Sequence, residues 1–257
     1  MLEKYKLEKP FFSVVIPTYN HEVFLEKAVK SVLSQTFCDY EIIIIDNYSN
    51  DNTENLIKNL NNKNIKFIKN RNHGIIAKSR NIGIEQSKSE WIAFLDSDDF
   101  WKKNKLKVQI KFMEKNNLDL SYTAYEILKN KRIVKHSVKK KYTYNELIKK
   151  CDIGLSTVVM RSKMSRIGLF PNLKTQEDFA LWLKYTRKKS KIMGINKYLS
   201  VWRDKPNSLS KNTIQKINDS FKVFYRLENK NILVSFYYLI ILSINKLKKF
   251  FKIRLFV

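Results

Sequence analysis

Between residues 12 and about 123 the chain alternates two hydrophobic periodicities. FSVVIP (12–17) and YEIIIID (40–46) are unbroken apolar runs rich in β-branched residues. That is the pattern of strands buried on both faces of a parallel sheet. NIKFIKN (64–70) and EWIAFLD (90–96) predict two further strands. Val23, Leu25, Ala28, Val29, Val32 and Leu33 recur at helical spacing between the first two runs, and 52–60 and 77–86 predict two more helices. Strands separated by helices imply βαβ units with right-handed crossovers. Beyond Asp99 the pattern predicts a helix over 106–115, a strand over 118–127 and a solvent-facing hairpin in 132–142. A short strand (156–160), a helix (176–188) and a helical hairpin or one bent helix from about Thr213 follow. No repeat and no Pro/Gly-rich linker interrupts the chain. The expectation is an α/β, Rossmann-like domain over 1–212, a mixed, mostly parallel sheet flanked by helices, with a C-terminal helical tail over 213–257.

Three polar clusters directly follow predicted strands: Pro17-Thr18-Tyr19-Asn20, Asp46-Asn47-Tyr48-Ser49-Asn50-Asp51 and Asp96-Ser97-Asp98-Asp99. In an open α/β sheet, ligands bind beyond the carboxyl ends of the strands, so a parallel sheet gathers all three clusters on one edge. Carboxylates packed within four residues repel unless a cation or a solvated loop relieves them. A hard divalent ion held by one or two carboxylates plus substrate phosphates is one solution. Capping of the next helix by Asp98 and Asp99 is the other. His21, His73 and His136 are isolated and receive no role, and Trp91 and Trp101 read as core.

Charge adds a partner class. The 257 residues carry a formal net charge of +26, which attracts nucleic acid, anionic headgroups or phosphorylated substrates. No nucleic-acid-binding module is recognisable, so no nucleic-acid partner is expected. Cys38 and Cys151 lack metal or disulfide spacing, which fits a reducing cytoplasm. The N-terminus lacks a signal peptide's apolar stretch, and no apolar run reaches the roughly 18–20 residues that span a bilayer. The tail joins apolar Phe236, Tyr237, Leu239, Ile240, Leu242, Leu247, Phe250 and Phe251 to basic Lys246, Lys248, Lys249, Lys252 and Arg254. Such a segment suits the headgroup plane of an anionic membrane surface; packing on the domain or on a second subunit is the alternative.

VVIPTYN (14–20), SVLSQTF (31–37), DNYSNDNT (46–53), NHGIIAKSRNIGI (72–84) and WIAFLDSDD (91–99) stand in an order and spacing that resemble glycosyltransferase family 2, with the GT-A nucleotide-sugar fold. TQEDFALWLKY (175–185) is a weaker echo. The resemblance implies a nucleotide-sugar-binding half (12–105) and an acceptor-binding half (106–212). It implies that Pro17 and Tyr19 lie along the nucleotide base and that Asp46 and Asn47 meet its edge; many relatives carry Asp at Asn47. Arg80 and Asn81 would support the donor pocket. Asp96 and Asp98 form the DxD element, Asp98 binding Mn2+ or Mg2+ and Asp96 the ribose or a metal-bound water, with Asp99 orienting the loop. Arg203 would close on the diphosphate, with Ser208-Leu209-Ser210 following, and Trp202 and Glu177 would lie on the acceptor side.

Asp178 is the implied general base, at a helix start that favours an anion. Expelling a nucleoside diphosphate develops charge that a metal can stabilise, while the attacking hydroxyl must lose a proton. One displacement with one base implies inversion. The expected protein is an inverting transferase using a UDP-sugar donor and a glycan or lipid-linked acceptor. It would serve bacterial surface polysaccharide synthesis in the cytoplasm, peripheral on the inner membrane face. A metal-dependent nucleotidyltransferase and a non-catalytic polyanion-binding protein are the alternatives.

Overall fold

A computed structural model describes residues 9–205 and 212–254, the last six of these by backbone only. The first half is built from β1 (Phe12–Thr18), α1 (Glu22–Leu33), β2 (Tyr40–Asp46), α2 (Thr53–Asn59), β3 (Ile65–Lys69), α3 (Ile76–Gln86) and β4 (Trp91–Phe94). β1 pairs in parallel with β2 and β4, and β2 pairs in parallel with β3. Thr18 stands opposite Asp46, and Leu95 continues β4 by donating its N–H to the Val15 carbonyl at 3.1 Å. The three polar clusters therefore share one sheet edge, as the alternation predicts.

The apolar runs bury both faces of these strands. Val15, Ile43 and Ile45 pack on one side with Ala77 and Ile84 of α3. Phe12, Val14, Ile16, Ile42 and Ile44 pack on the other with Leu25, Ala28, Val29 and Val32 of α1.

The second half comprises β5 (Phe100–Trp101), α4 (Lys105–Lys115), β6 (Leu120–Lys129), β7 (Arg132–His136), α5 (Tyr144–Leu147), β8 (Val159–Arg161), α6 (Glu177–Arg187) and β9 (Ile192–Arg203). Among the described residues the sheet runs β3-β2-β1-β4-β8-β6-β9-β5, with β7 on β6. β8 is antiparallel to both β4 and β6, which turns the parallel half into a mixed sheet. The periodicity of the sequence does not disclose β9. Its pairing with β6 jumps from Ile195 to Tyr198 across one step, and the two residues looped out, Asn196 and Lys197, are exposed. This bulge breaks the alternation that identifies a strand.

The tail forms a helical hairpin: α7 (Thr213–Lys222), a π-helical turn (Val223–Leu227) and α8 (Ile232–Arg254). Val223, Phe224 and Leu242 enter the core, and Tyr238 and Leu239 pack against it. Leu239 and Leu242 therefore face the domain and not a membrane, a correction to the apolar surface expected from sequence. The exposed apolar residues described on α8 include Leu233, Phe236, Tyr237, Ile240, Ile244 and Leu247. Their spacing of three, four and seven draws one stripe along α8. The side chains of Phe250 and Phe251 lie outside the described residues. No described helix is long and apolar enough to cross a membrane.

Gly83 is where α3 meets the sheet. A Cβ there would overlap Val15 Cγ1 and stand 3.1 Å from Ile45 Cδ1. Gly-to-Ala in a helix interior ordinarily gains about 0.8–1 kcal/mol, whereas overpacking a core costs about 1–3 kcal/mol. Gly83→Ala is expected to lower the urea midpoint; a raised midpoint would show that α3 can lift from β1.

Candidate active site

The centre of the site is a buried cation. Arg80 lies on α3 next to the residues that seat this helix on the sheet, and only 4% of it is exposed. A guanidinium so placed requires partners. Its Nη2 donates to Asp96 Oδ1 at 2.8 Å and its Nη1 donates to Glu177 Oε1. The Phe170 ring lies 5.7 Å away. Burial alone would lower the Arg80 pKa, but Asp96, Glu177 and Asp178 outweigh it and raise it. One side chain thus ties the loop after β4 to the start of α6.

Glu177 and Asp178 open α6 behind Gln176, whose φ of 63° is left-handed. Such a conformation is uncommon for a residue with a side chain and persists only where neighbours enforce it. Here α7 enforces it. Asp219 Oδ2 accepts from Thr175 N and Oγ1, both at 3.0 Å, and Gln176 Nε2 donates to Ser220 Oγ at 3.1 Å. Burial pushes Glu177 up to about 7 against the pull of Arg80, with Asp178 adding to the rise. Burial also raises Asp178, partly offset by Arg80 and by the Phe179 N–H that donates to its Oδ1 at 2.7 Å.

The Asp96–Asp99 loop divides its carboxylates by partner. Asp98 Oδ2 pairs with Lys205 Nζ at 2.8 Å. Lys205 also reaches His21 Nε2 at 3.1 Å, and His21 Nδ1 meets Ser97 Oγ at 2.7 Å. Burial and then Lys205 lower the His21 pKa, so the ring stands neutral and Nε2 accepts from the ammonium. Asp99 is buried and pushed well up by burial, then by Asp98 and Asp96. It accepts from Ser156 Oγ at 2.6 Å and from the Arg203 N–H at 3.1 Å, which pins the loop to β9. Ser156 Oγ in turn accepts from Asp96 N at 3.1 Å. The Arg203 guanidinium rides on the Phe24 and Phe100 rings, 5.1 Å from each, while Trp202 is half-buried beside it.

The other two clusters close the same edge. Both Asp46 oxygens accept from Ser49, whose Oγ lies 2.5 Å from Oδ1. Asn47 Oδ1 accepts from Asn72 N at 2.8 Å, and Asn20 exchanges bonds with Ser49 and Asn50 at 2.8 and 2.9 Å. Pro17 is buried in β1, whereas Tyr19 and Tyr48 present half-exposed rings, with Arg71 4.9 Å from the Tyr48 centroid. Asn81 is occupied elsewhere, exchanging two bonds with the Phe170 backbone at 2.9 and 3.0 Å.

The structure thus brings Arg80, Asp96, Glu177 and Asp178 together, and places Asp98 with Arg203 and Lys205 next to them. Ser208-Leu209-Ser210 lies outside the described residues. Reasoning from sequence missed His21, Lys205 and Ser156. His21 adjoins the Tyr19-Asn20 cluster and Lys205 adjoins Arg203, so proximity to those motifs was the available signal.

A parallel βαβ half joined to a mixed extension, with carboxylates on the strand edge, defines a nucleotide-sugar-transferase type of fold. Residues 13–166 match the model of Glycosyl transferase family 2, and the chain belongs to that family. It is 35% identical over 240 residues to the Escherichia coli UDP-Glc:alpha-D-GlcNAc-diphosphoundecaprenol beta-1,3-glucosyltransferase WfgD, covering 92% of this chain and 94% of that one. Identity to the putative teichuronic acid biosynthesis glycosyltransferase TuaG of Bacillus subtilis is 29%, over 94% and 98% of the two chains. Among solved structures, S. aureus TarS 1-349 with UDP-GlcNAc superposes with a TM-score of 0.73 at 26% identity, over 84% of this chain and 65% of that one.

Removing Arg80 should expose how much depends on it. Arg80→Met leaves Glu177 and Asp96 without their cation, and breaking a buried pair costs about 3–5 kcal/mol. Urea unfolding at neutral pH measures that loss, and a change below 1 kcal/mol would contradict it. Glu177 also predicts a pH effect. It binds a proton more tightly folded than unfolded, so its contribution to stability is present below about 4.5 and is lost as pH rises through about 7. Glu177→Gln should flatten wild-type stability across this window.

Proposed function

We propose that this glycosyltransferase is an inverting enzyme that moves a sugar from a UDP-sugar to a hydroxyl of a diphospholipid-linked glycan acceptor. In this reading it serves bacterial surface polysaccharide synthesis at the inner face of the cytoplasmic membrane. One observation carries the reading. Asp178, its pKa raised by burial, stands beside Arg80, which is itself bonded to Asp96 of the DxD loop. A base and a donor-side carboxylate are thereby held at a fixed separation, which oriented displacement needs. The donor and acceptor classes rest on the similarity to WfgD, whose name specifies UDP-Glc and a diphosphoundecaprenol acceptor.

Asp178 takes the proton from the acceptor hydroxyl during attack. Its raised pKa brings it nearer the working pH, where a general base is most effective. Arg80 offsets the repulsion between Asp96, Glu177 and Asp178, which lets the half-buried base remain ionised. Arg203 and Lys205 supply positive charge for the departing diphosphate, and the half-exposed rings of Tyr19 and Tyr48 offer stacking surface for the base.

The donor set fits a divalent cation. Asp98 already attracts an ammonium at 2.8 Å, and its neighbours are hard oxygen donors. Among the described residues no three His, Cys, Asp or Glu side chains converge into a cage, so the diphosphate would complete the shell. Asp98, with Asp96, would hold Mn2+ or Mg2+, which when bound supplies Lewis-acid stabilisation of the leaving diphosphate. A Pyrobaculum calidifontis mannosyltransferase with GDP-Man and Mn2+ shares the fold, with a TM-score of 0.68 at 15% identity.

The exposed stripe of α8 would rest on lipid, with Lys246 and Lys248 beside it for anionic headgroups. Ile240→Asp with Leu247→Asp is expected to abolish co-sedimentation with anionic vesicles, whereas undiminished sedimentation would remove α8 from the membrane contact. For the chemistry, Asp178→Asn should retain UDP affinity in calorimetry while turnover falls roughly 10²–10⁴-fold, the scale of a lost general base. Collapse of UDP affinity in that variant would make Asp178 a donor-site residue.

A further inference from the structure

Asp98 and His21 are both aimed at the ammonium nitrogen of Lys205. Asp98 Oδ2 lies 2.8 Å from Nζ, and His21 Nε2 lies 3.1 Å from it. An ammonium carries donors only, so both partners offer it lone pairs. Ser97 Oγ, 2.7 Å from the other ring nitrogen, holds His21 in this orientation. A hydrogen bond on the second nitrogen is the usual way a histidine is turned towards a cation. The Phe24 ring, 4.5 Å from Nζ, completes the seat. The site shelters its charges, because the Lys205 side chain is 18% exposed and that of Asp98 17%. It is built for a cation, and here the cation belongs to the chain.

Lys205 is anchored at its base and adaptable at its tip. The Asp204 N–H donates to the Leu128 carbonyl at 3.0 Å, which ties the preceding residue to β6. The flexible four-carbon stem lets the ammonium change partners without moving that backbone. Leaving Asp98 requires another anion, and the neighbouring carboxylates are engaged. Asp96 accepts from Arg80, Asp99 from Ser156 and the Arg203 N–H, and Asp51 from the N–H groups of Glu22 and Thr53. The Arg203 guanidinium lies 5.1 Å from the same Phe24 ring, so a displaced ammonium would also meet a like charge. A bound diphosphate supplies the missing oxygens.

We propose that Lys205 is a stand-in cation: it holds Asp98 while the site has no donor, and yields that carboxylate to a divalent ion only when a nucleoside diphosphate arrives to receive the ammonium. This rests on the transferase reading above, with Asp98 as the metal-binding carboxylate, and adds the order in which the site fills. Mg2+ sits about 2.0–2.1 Å from a carboxylate oxygen. An ammonium 2.8 Å from that same oxygen repels it, so Lys205 opposes the ion in the absence of donor. With donor bound, the same ammonium faces phosphate oxygens and strengthens their binding. One side chain thus acts with opposite sign on two binding steps and couples them beyond the direct contact of ion and diphosphate. Meanwhile Asp98 is never left as an uncompensated charge beside Asp96 and Asp99.

The test uses the full chain. Electron paramagnetic resonance of free Mn2+ measures binding of the ion without UDP, and calorimetry measures UDP binding at saturating Mn2+. Lys205→Met should bind Mn2+ about tenfold more tightly than the wild type, the scale of a lost charged hydrogen bond. The same variant should bind UDP about tenfold more weakly. A merely structural lysine would weaken both steps or neither. Lys205→Gln should repeat the opposed shifts, which keeps the test decisive if the methionine variant fails to fold, and Lys205→Arg should stay close to the wild type. Adding Asp98→Asn to Lys205→Met should remove the gained Mn2+ affinity, because that ion sits on Asp98. Unchanged or weaker Mn2+ binding by the neutral variants, undiminished UDP binding, or a gain that survives Asp98→Asn would overturn the assignment. The opposed shifts in a protein that transfers no sugar from UDP-sugars would uphold the role of Lys205 and count instead against the transferase reading.

Discussion

The arrangement of this protein depends on a single buried guanidinium. Arg80 joins Asp96 and Glu177, which are 16 and 97 residues away along the chain. The first bond holds the loop beyond β4, and the second holds the start of α6. Buried ion pairs contribute little net stability, because desolvation offsets attraction. What this one supplies is position. It holds Asp96 of the loop beyond β4 near the carboxylates of α6 and offsets their mutual repulsion. The surrounding structure is arranged to keep Arg80 in place: Ala77 and Ile84 are buried in the core, and Gly83 lets α3 lie against Val15.

The C-terminal hairpin completes the same centre from the opposite side. α7 holds the left-handed Gln176 through Asp219 and Ser220, so the segment outside the sheet sets the geometry of the proposed base. α8 is apolar on two opposed faces. One face, including Leu242, enters the core; the other carries the exposed stripe. A helix with two apolar faces has little net amphipathicity, and its sequence alone cannot say which face packs on the domain and which stays exposed. Burial resolves the two: Leu239 and Leu242 belong to the domain, and Leu233, Ile240 and Leu247 do not.

Much of the first half was legible because its strands are buried on both faces. Such strands read as unbroken apolar runs, and polar residues at their ends can only mark an edge. The second half was less legible. β9 is interrupted by the exposed Asn196 and Lys197, and β5 is two residues long. The site followed the same division. Asp96, Asp98 and Asp178 announce themselves as acidic residues at element ends. Lys205 and His21 are ordinary polar residues whose neighbours come from distant segments. His21 acquires meaning through Ser97 and Lys205, and Lys205 through Asp98. No spacing rule connects those pairs.

The account makes Asp178 the one base of a single displacement, so the sugar must change anomeric configuration on transfer. Proton NMR of the product formed from an α-configured UDP-sugar reads that outcome directly from the anomeric coupling. The account predicts a β-linked product from the first turnover onward. An α-linked product would contradict it, because retention requires either a second nucleophile or a different course of attack.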